Sequence, residues 1–220
     1  MKTLTESRRV QLLLAFLLAA LLVLSCSESK SPSEVEDPTY DRTTPDNLLE
    51  MLAASYKDKN LDDYSECLDD DFLFIFTPDV AEGLGLPPDE AWWGKTDDLS
   101  STQTMFGSAH VTDIVFTYEA VGSWEAYTEV RADTIFSGWF RRLDPLIEIT
   151  TVVEEEDPIK KLRVDESWLD VVVVPDRYPD GLYTILSITE EKKQQFQGPV
   201  VSQSAATEPS TWGGIKSLWR

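Results

Sequence analysis

Apolar residues along this chain follow three regimes, and each predicts a different kind of structure. Leu12–Leu24 is an unbroken apolar block. From Thr44 to Phe106 apolar positions recur mostly at helical spacing, and beyond His110 they run in long stretches rich in β-branched and aromatic residues.

In the helical regime, Thr44 is placed to cap and Pro45 to take the first helical position, where its missing N–H costs nothing. Asp46 complements the helix dipole. Leu48, Met51, Leu52 and Tyr56 then define one apolar face. Asn60 punctuates, and a second short helix carries Leu61, Tyr64, Cys67 and Leu68 on one stripe. Phe72–Phe76 is apolar on both alternating faces, which predicts a strand covered on two sides. It ends at Thr77-Pro78. A Gly/Pro-containing loop, Asp79–Gly94, bears Trp92 and Trp93, and Thr96–Phe106 predicts a third helix with Leu99 and Phe106 inward.

The later pattern predicts strands over Val111–Ala120, Tyr127–Phe140, Leu146–Glu155, Lys160–Val174 and Leu182–Glu190, separated by Gly, Pro or Asp turns. In Leu146–Glu155, Ile147, Ile149, Thr151 and Val153 share a face. Helices first and meandering strands afterwards predict an α+β fold: a curved antiparallel sheet with the helices segregated on one side.

The apolar block near the start has thirteen residues and follows Lys2, Arg8 and Arg9. That suits the apolar part of an export signal and falls short of the roughly 20 residues needed to span a bilayer. Val23-Leu24-Ser25-Cys26 resembles the lipobox of bacterial lipoproteins, which implies a signal peptide over 1–25 and a lipidated Cys26 as the mature N-terminus. More than one acyl chain there would hold the protein stably on a membrane surface. Ser27 after the cysteine implies, by the same resemblance, the outer membrane where the cell has one. The competing reading is an ordinary secretory signal or uncleaved anchor with Cys26 incidental. Residues 26–43, rich in Ser, Glu, Asp and Pro, read as a flexible acidic tether.

Charge narrows the partners. The 220-residue chain carries 19 basic and 40 acidic side chains, a formal charge of −21, and loss of residues 1–25 makes it more acidic still. Such an excess repels nucleic acid and anionic headgroups, so no nucleic-acid partner is expected. With Cys26 acylated, Cys67 has no partner for an intramolecular disulfide.

Thr44-Pro45-Asp46-Asn47-Leu48-Leu49, Tyr56, Asn60-Leu61-Asp62-Asp63-Tyr64, Leu68-Asp69-Asp70-Asp71-Phe72 and Phe76 together resemble the opening of the nuclear transport factor 2-like superfamily. The resemblance spans about 44–190. Trp92/Trp93, Thr102–Phe106 and the terminal Ser-Thr-Trp-Gly-Gly-Ile-Lys resemble uncharacterised bacterial lipoproteins carrying this domain. It implies a cone: helices close one end of a curved sheet, and the interior is packed or hollowed into a pocket. The superfamily includes ketosteroid isomerase, polyketide cyclases and dehydratases beside many non-catalytic modules, so fold alone does not decide activity.

Residues test the enzyme branch. The isomerase pattern needs a first-helix tyrosine and a carboxylate at the end of the first strand. This sequence places Leu52 at the first position and Phe76 or Thr77 at the second, and none of these can do the chemistry. A shifted constellation of Tyr56 and Asp79 survives, and the enzymatic alternative is a small-molecule isomerase, dehydratase or hydrolase using Tyr56, Asp79 or His110. No catalytic residues are otherwise assigned. His110, the single histidine, is a solvent-side or capping residue, or a lone general base. Asp69–Asp71 and Glu154–Asp157 lack calcium-loop spacing, and no metal or cofactor motif occurs.

Tryptophans at 92, 93, 124, 139, 168, 212 and 219 serve the core and C-terminal packing, or line a cleft or interface. Leu52, Tyr56, Phe74, Phe76, Trp93 and Phe106 are the candidate ligand-binding wall, for a small apolar ligand. Homodimerisation through the open sheet face is the structural alternative. Residues 191–220 read as a loose tail ending in a docking segment, with Trp212, Ile215 and Trp219 on one face although two glycines weaken that helix. The working expectation is a lipid-anchored cell-envelope protein that binds or assembles without catalysis.

Overall fold

The computed structural model describes residues 41–151, 160–177, 181–193 and 211–219. The export signal, Cys26 and the tether to Tyr40 lie outside the described residues, as does Val153. No helix among the described residues is long and apolar enough to cross a membrane.

Helix α1, Pro45–Asp58, begins as its sequence dictates: the Thr44 hydroxyl accepts from the Asn47 amide, with Pro45 in the first turn. It ends at Lys59, whose left-handed φ of 52° lets its N–H and that of Asn60 close the last turn. The Asn60 side chain caps α2, Leu61–Cys67, accepting from Asp62 and Asp63. Strand β1, Leu68–Ile75, follows without a linker. Phe72, Phe74 and Phe76 are buried, while Leu73 and Ile75 on the opposite face are half-buried.

Asp79–Gly94 differs from the expected loop. It holds a short helix α3, Pro78–Gly83, a 3-10 turn at Pro88–Glu90, and strand β2, Trp92–Gly94, which pairs with β1. Helix α4, Lys95–Gly107, buries Phe106 and Met105 but also Asp98, Ser101 and Thr102.

The remaining strands are β3 (Val111–Arg131), β4 (Thr134–Thr151), β5 (Lys160–Val164), β6 (Ser167–Pro175) and β7 (Tyr183–Lys192). The sheet order is β2-β1-β7-β6-β4-β3, with β5 also on β4. The expected α+β class with helices against a strongly curled sheet is what is found. One pairing departs from an all-antiparallel sheet: β1 and β7 run parallel.

The β3–β4 hairpin is longer than the pattern predicts. Gly122 does not break β3, because the pair continues past a register shift between Val121 and Glu125. The turn falls at Ala132-Asp133, inside the stretch read as one strand, and both residues take positive φ (43° and 69°). That backbone is the primed two-residue turn, whose usual Asn/Gly signature this sequence lacks.

Gly138 marks where β4 meets β6. A Cβ there would stand 2.0 Å from the Val173 carbonyl oxygen, so only glycine permits the approach. The hairpin is tied to α1 at its other end: Arg141 donates to Asp46 at 2.8 Å, Trp124 Nε1 donates to the same oxygen at 3.1 Å, and the guanidinium lies 5.3 Å from the Trp124 ring.

Candidate functional site

The last helix, α5 (Trp212–Ser217), is short and contains two glycines, which disfavour a helix standing alone. It forms where the domain supplies its caps. The Thr211 hydroxyl accepts from Gly214, and the buried Glu190 carboxylate at the end of β7 accepts from the amides of Trp212 (2.5 Å) and Gly213 (3.1 Å). A Cβ on Gly213 would come within 2.5 Å of the Phe76 ring, so the glycine that weakens the helix is what lets it seat. Trp212, Gly213, Ile215 and Lys216 are buried, and Trp219 packs against the core from its edge.

This helix sits among the residues expected to line a pocket. Leu52, Tyr56, Phe74, Phe76, Trp93 and Phe106 all lie in one buried cluster with Trp212 and Ile215. Tyr56 is at the centre, edge-to-face with Phe106 and Phe116 at 5.5 Å each, Trp212 at 5.2 Å and Tyr64 at 5.1 Å. Phe76 stands on Phe74 at 5.1 Å and on Trp93 at 4.8 Å. Such contacts fill space with low-energy ring geometry.

At the heart of this packing is a polar cluster that sequence reasoning did not single out. Lys216 Nζ donates to the Tyr64 hydroxyl at 2.8 Å and to the Asp98 carboxylate, and Tyr64 donates to the other Asp98 oxygen at 2.5 Å. Lys216 is 1% exposed and Asp98 is fully buried. The ammonium also faces the rings of Tyr64 and Phe74 at 5.2 Å and of Trp212 at 5.6 Å. Burial draws the Lys216 ammonium below its ordinary value, although Asp98 beside it works in the opposite sense. Burial, then the Asp98 charge, pushes the Tyr56 and Tyr64 phenols well above theirs. The available sequence signal was the apolar company of Lys216, between Ile215 and Trp219 on a helical turn.

Of the enzymatic alternative, Tyr56 is in the core, whereas Asp79 is exposed at the start of α3 and paired with Lys192. His110 is exposed in the turn before β3. Among the described residues no group of three or more His, Cys, Asp or Glu side chains could hold a metal ion.

A cleft of about 540 Å³ opens at the beginning of β1, lined by Arg42, Asp69, Lys95, Asp176, Arg177 and Thr184 among others. Its cations are already engaged. Arg42 pairs with Asp176 at 3.1 Å, Lys95 with Asp70 at 3.2 Å, and Arg177 with Asp71 while lying 5.0 Å from the Phe136 ring.

No protein-family model and no curated protein matches the chain. Solved structures do. A conserved protein from Planctomyces limnophilus is similar at 12% identity and a TM-score of 0.42, over 66% of this chain and 89% of that one. A nuclear transport factor 2-like superfamily protein from Salmonella enterica serovar Typhimurium is similar at 10% identity and a TM-score of 0.37, over 68% and 88%. A nuclear transport factor 2-like protein of unknown function in nutrient uptake from Rhodospirillum rubrum is similar at 11% identity and a TM-score of 0.37, over 66% and 94%. At this depth the likeness transfers neither activity nor ligand.

Proposed function

We propose that this is a lipid-anchored bacterial cell-envelope protein whose folded domain works at its surface, by binding or assembly, without catalysis. The observation that carries the reading is the occupied interior. The space where a cone of this kind would hold a substrate contains Trp212, Ile215 and Lys216, and the buried phenol and carboxylate are consumed by an internal ammonium. A general acid or base must reach the proton it moves, and Tyr64 and Asp98 face only the protein.

The exterior offers what the interior lacks. Beside the polar cleft, the β3–β4 hairpin exposes Val130 and Ile135 as cross-strand neighbours, with Trp139 further along β4. Exposed aromatic and aliphatic side chains on a strand pair suit partner docking. The anchor rests on the basic start, the apolar block and Cys26.

Native mass spectrometry of the full-length protein, extracted in detergent from an exporting bacterial host, tests both parts. The expected species begins at an acylated Cys26 and retains no small molecule in the folded domain. An unacylated chain would overturn the anchor. A retained apolar molecule displaced on unfolding would overturn the closed interior.

A further inference from the structure

Lys216 and Asp98 are separated by 118 positions, yet an amine and a carboxyl meet where both side chains are buried from solvent. Tyr64 touches both through one hydroxyl, accepting from the nitrogen and donating to Asp98 Oδ2. We propose that this trio closes an intramolecular amide cross-link between Lys216 Nζ and Asp98 Cγ, which fastens the C-terminal helix to α4 covalently.

Three features favour it. First, an amine held against its carboxyl reacts as a unimolecular pair. Effective molarities of about 10⁵ M and above for well-placed groups exceed the concentration of water that opposes condensation. Second, condensation replaces two buried charges with one neutral amide and removes the desolvation cost of the ion pair. Third, burial draws the Lys216 ammonium below its ordinary value, against the opposing pull of Asp98, which eases its passage to the neutral, nucleophilic amine.

The step balances without any oxidant or co-reactant. The Lys216 ammonium passes a proton to the Tyr64 oxygen while Tyr64 passes its own to Asp98 Oδ2, leaving an amine and a carboxylic acid. The nitrogen lone pair attacks Cγ and the C–N bond forms. A second proton moves from nitrogen to Oδ2 along the same relay, the Cγ–Oδ2 bond breaks, and water departs. Oδ1 remains as the amide carbonyl, and the amide N–H keeps Tyr64 as its acceptor.

The consequence is mechanical. A helix of six residues holding two glycines gains a permanent attachment, and the unfolded chain between the two positions is closed into a long loop. That suits a protein exposed to extracellular proteases, though the chemistry is independent of the proposed anchoring.

Peptide mapping of the purified full-length chain by trypsin and mass spectrometry decides it. Acylation of Lys216 blocks cleavage there, so residues 96–131 should be found joined to residues 194–220 at their combined mass less one water. Recovery of 96–131 and 194–216 as separate linear peptides, with no branched species, overturns the proposal. Lys216→Arg should give only linear peptides. Tyr64→Phe, which keeps the ring, should slow cross-linking so that linear peptides persist in freshly made protein. Undiminished cross-linking in that variant overturns the relay.

Discussion

Lys216, four residues from the end of the chain, donates to Tyr64 of the second helix at 2.8 Å in a place closed to solvent. A lysine ammonium is seldom buried so completely, and here it is held by Asp98, a phenol and three rings. The C-terminal helix is therefore part of the core.

Removing one member of this cluster should be worse than removing the pair. Asp98→Ala removes the carboxyl that the proposed cross-link needs, leaves an unpaired buried ammonium and should cost at least about 3–5 kcal/mol. Adding Lys216→Met, which refills the space with an apolar stem, should recover much of that loss. A denaturant-unfolding cycle checks this. Additive losses for the double variant would mean that the two side chains do not act together.

Glu190 gives the domain a pH signature of defined sign. Burial raises its carboxyl above the 4.5 of an ordinary glutamate, against the opposing pull of the Gly213 and Trp212 amides. A raised folded value means that the stability this group contributes is fully present below 4.5 and is lost as pH climbs through the folded value. The stability of wild type relative to Glu190→Gln should accordingly rise as the solution is acidified across that window, then level off. A relative advantage that grows with increasing pH would contradict the burial of this carboxylate.

The β3–β4 turn stores strain that can be relieved. Ala132 at φ 43° and Asp133 at φ 69° occupy a conformation that favours Asn and Gly. Ala132→Asn with Asp133→Gly should stabilise the protein by about 1 kcal/mol, raising Tm by roughly 2–4 °C. A fall in Tm on calorimetry would show that the turn is not of this type.

Cys67 should be inert while the domain is folded. It is fully buried, and burial pushes its thiol up to about 12. Alkylation by iodoacetamide at mildly alkaline pH should therefore follow global unfolding and keep pace with denaturant concentration. Rapid labelling under native conditions would place Cys67 at the surface.

Much of the fold was legible because its signals are local. Thr44, Pro45 and Asn60 announce helix starts by capping chemistry, and the alternation of Ile147 and Ile149 announces an inward strand face. What was missed depends on distant partners. Trp92–Gly94 becomes a strand only through pairing with β1, and the parallel β1–β7 contact joins segments more than a hundred residues apart. The hairpin turn hid because Ala132-Asp133 carries no turn signature. For the site, periodicity marked Tyr56, Phe74 and Phe106 as inward but could not say whether they face a ligand or one another. Asp98 and Lys216 were passed over because charged residues on helices ordinarily face water.

Whether the C-terminal helix is a fixed part of the interior is measured directly by backbone hydrogen exchange of the full-length protein. The amides of Trp212 and Gly213, bonded to Glu190, should exchange as slowly as those of the central strand β7, because both open only when the domain unfolds. Exchange of these two amides at the rate of an unstructured peptide, with β7 still protected, would contradict the closed interior and return the cone to the list of sites where a ligand could be held.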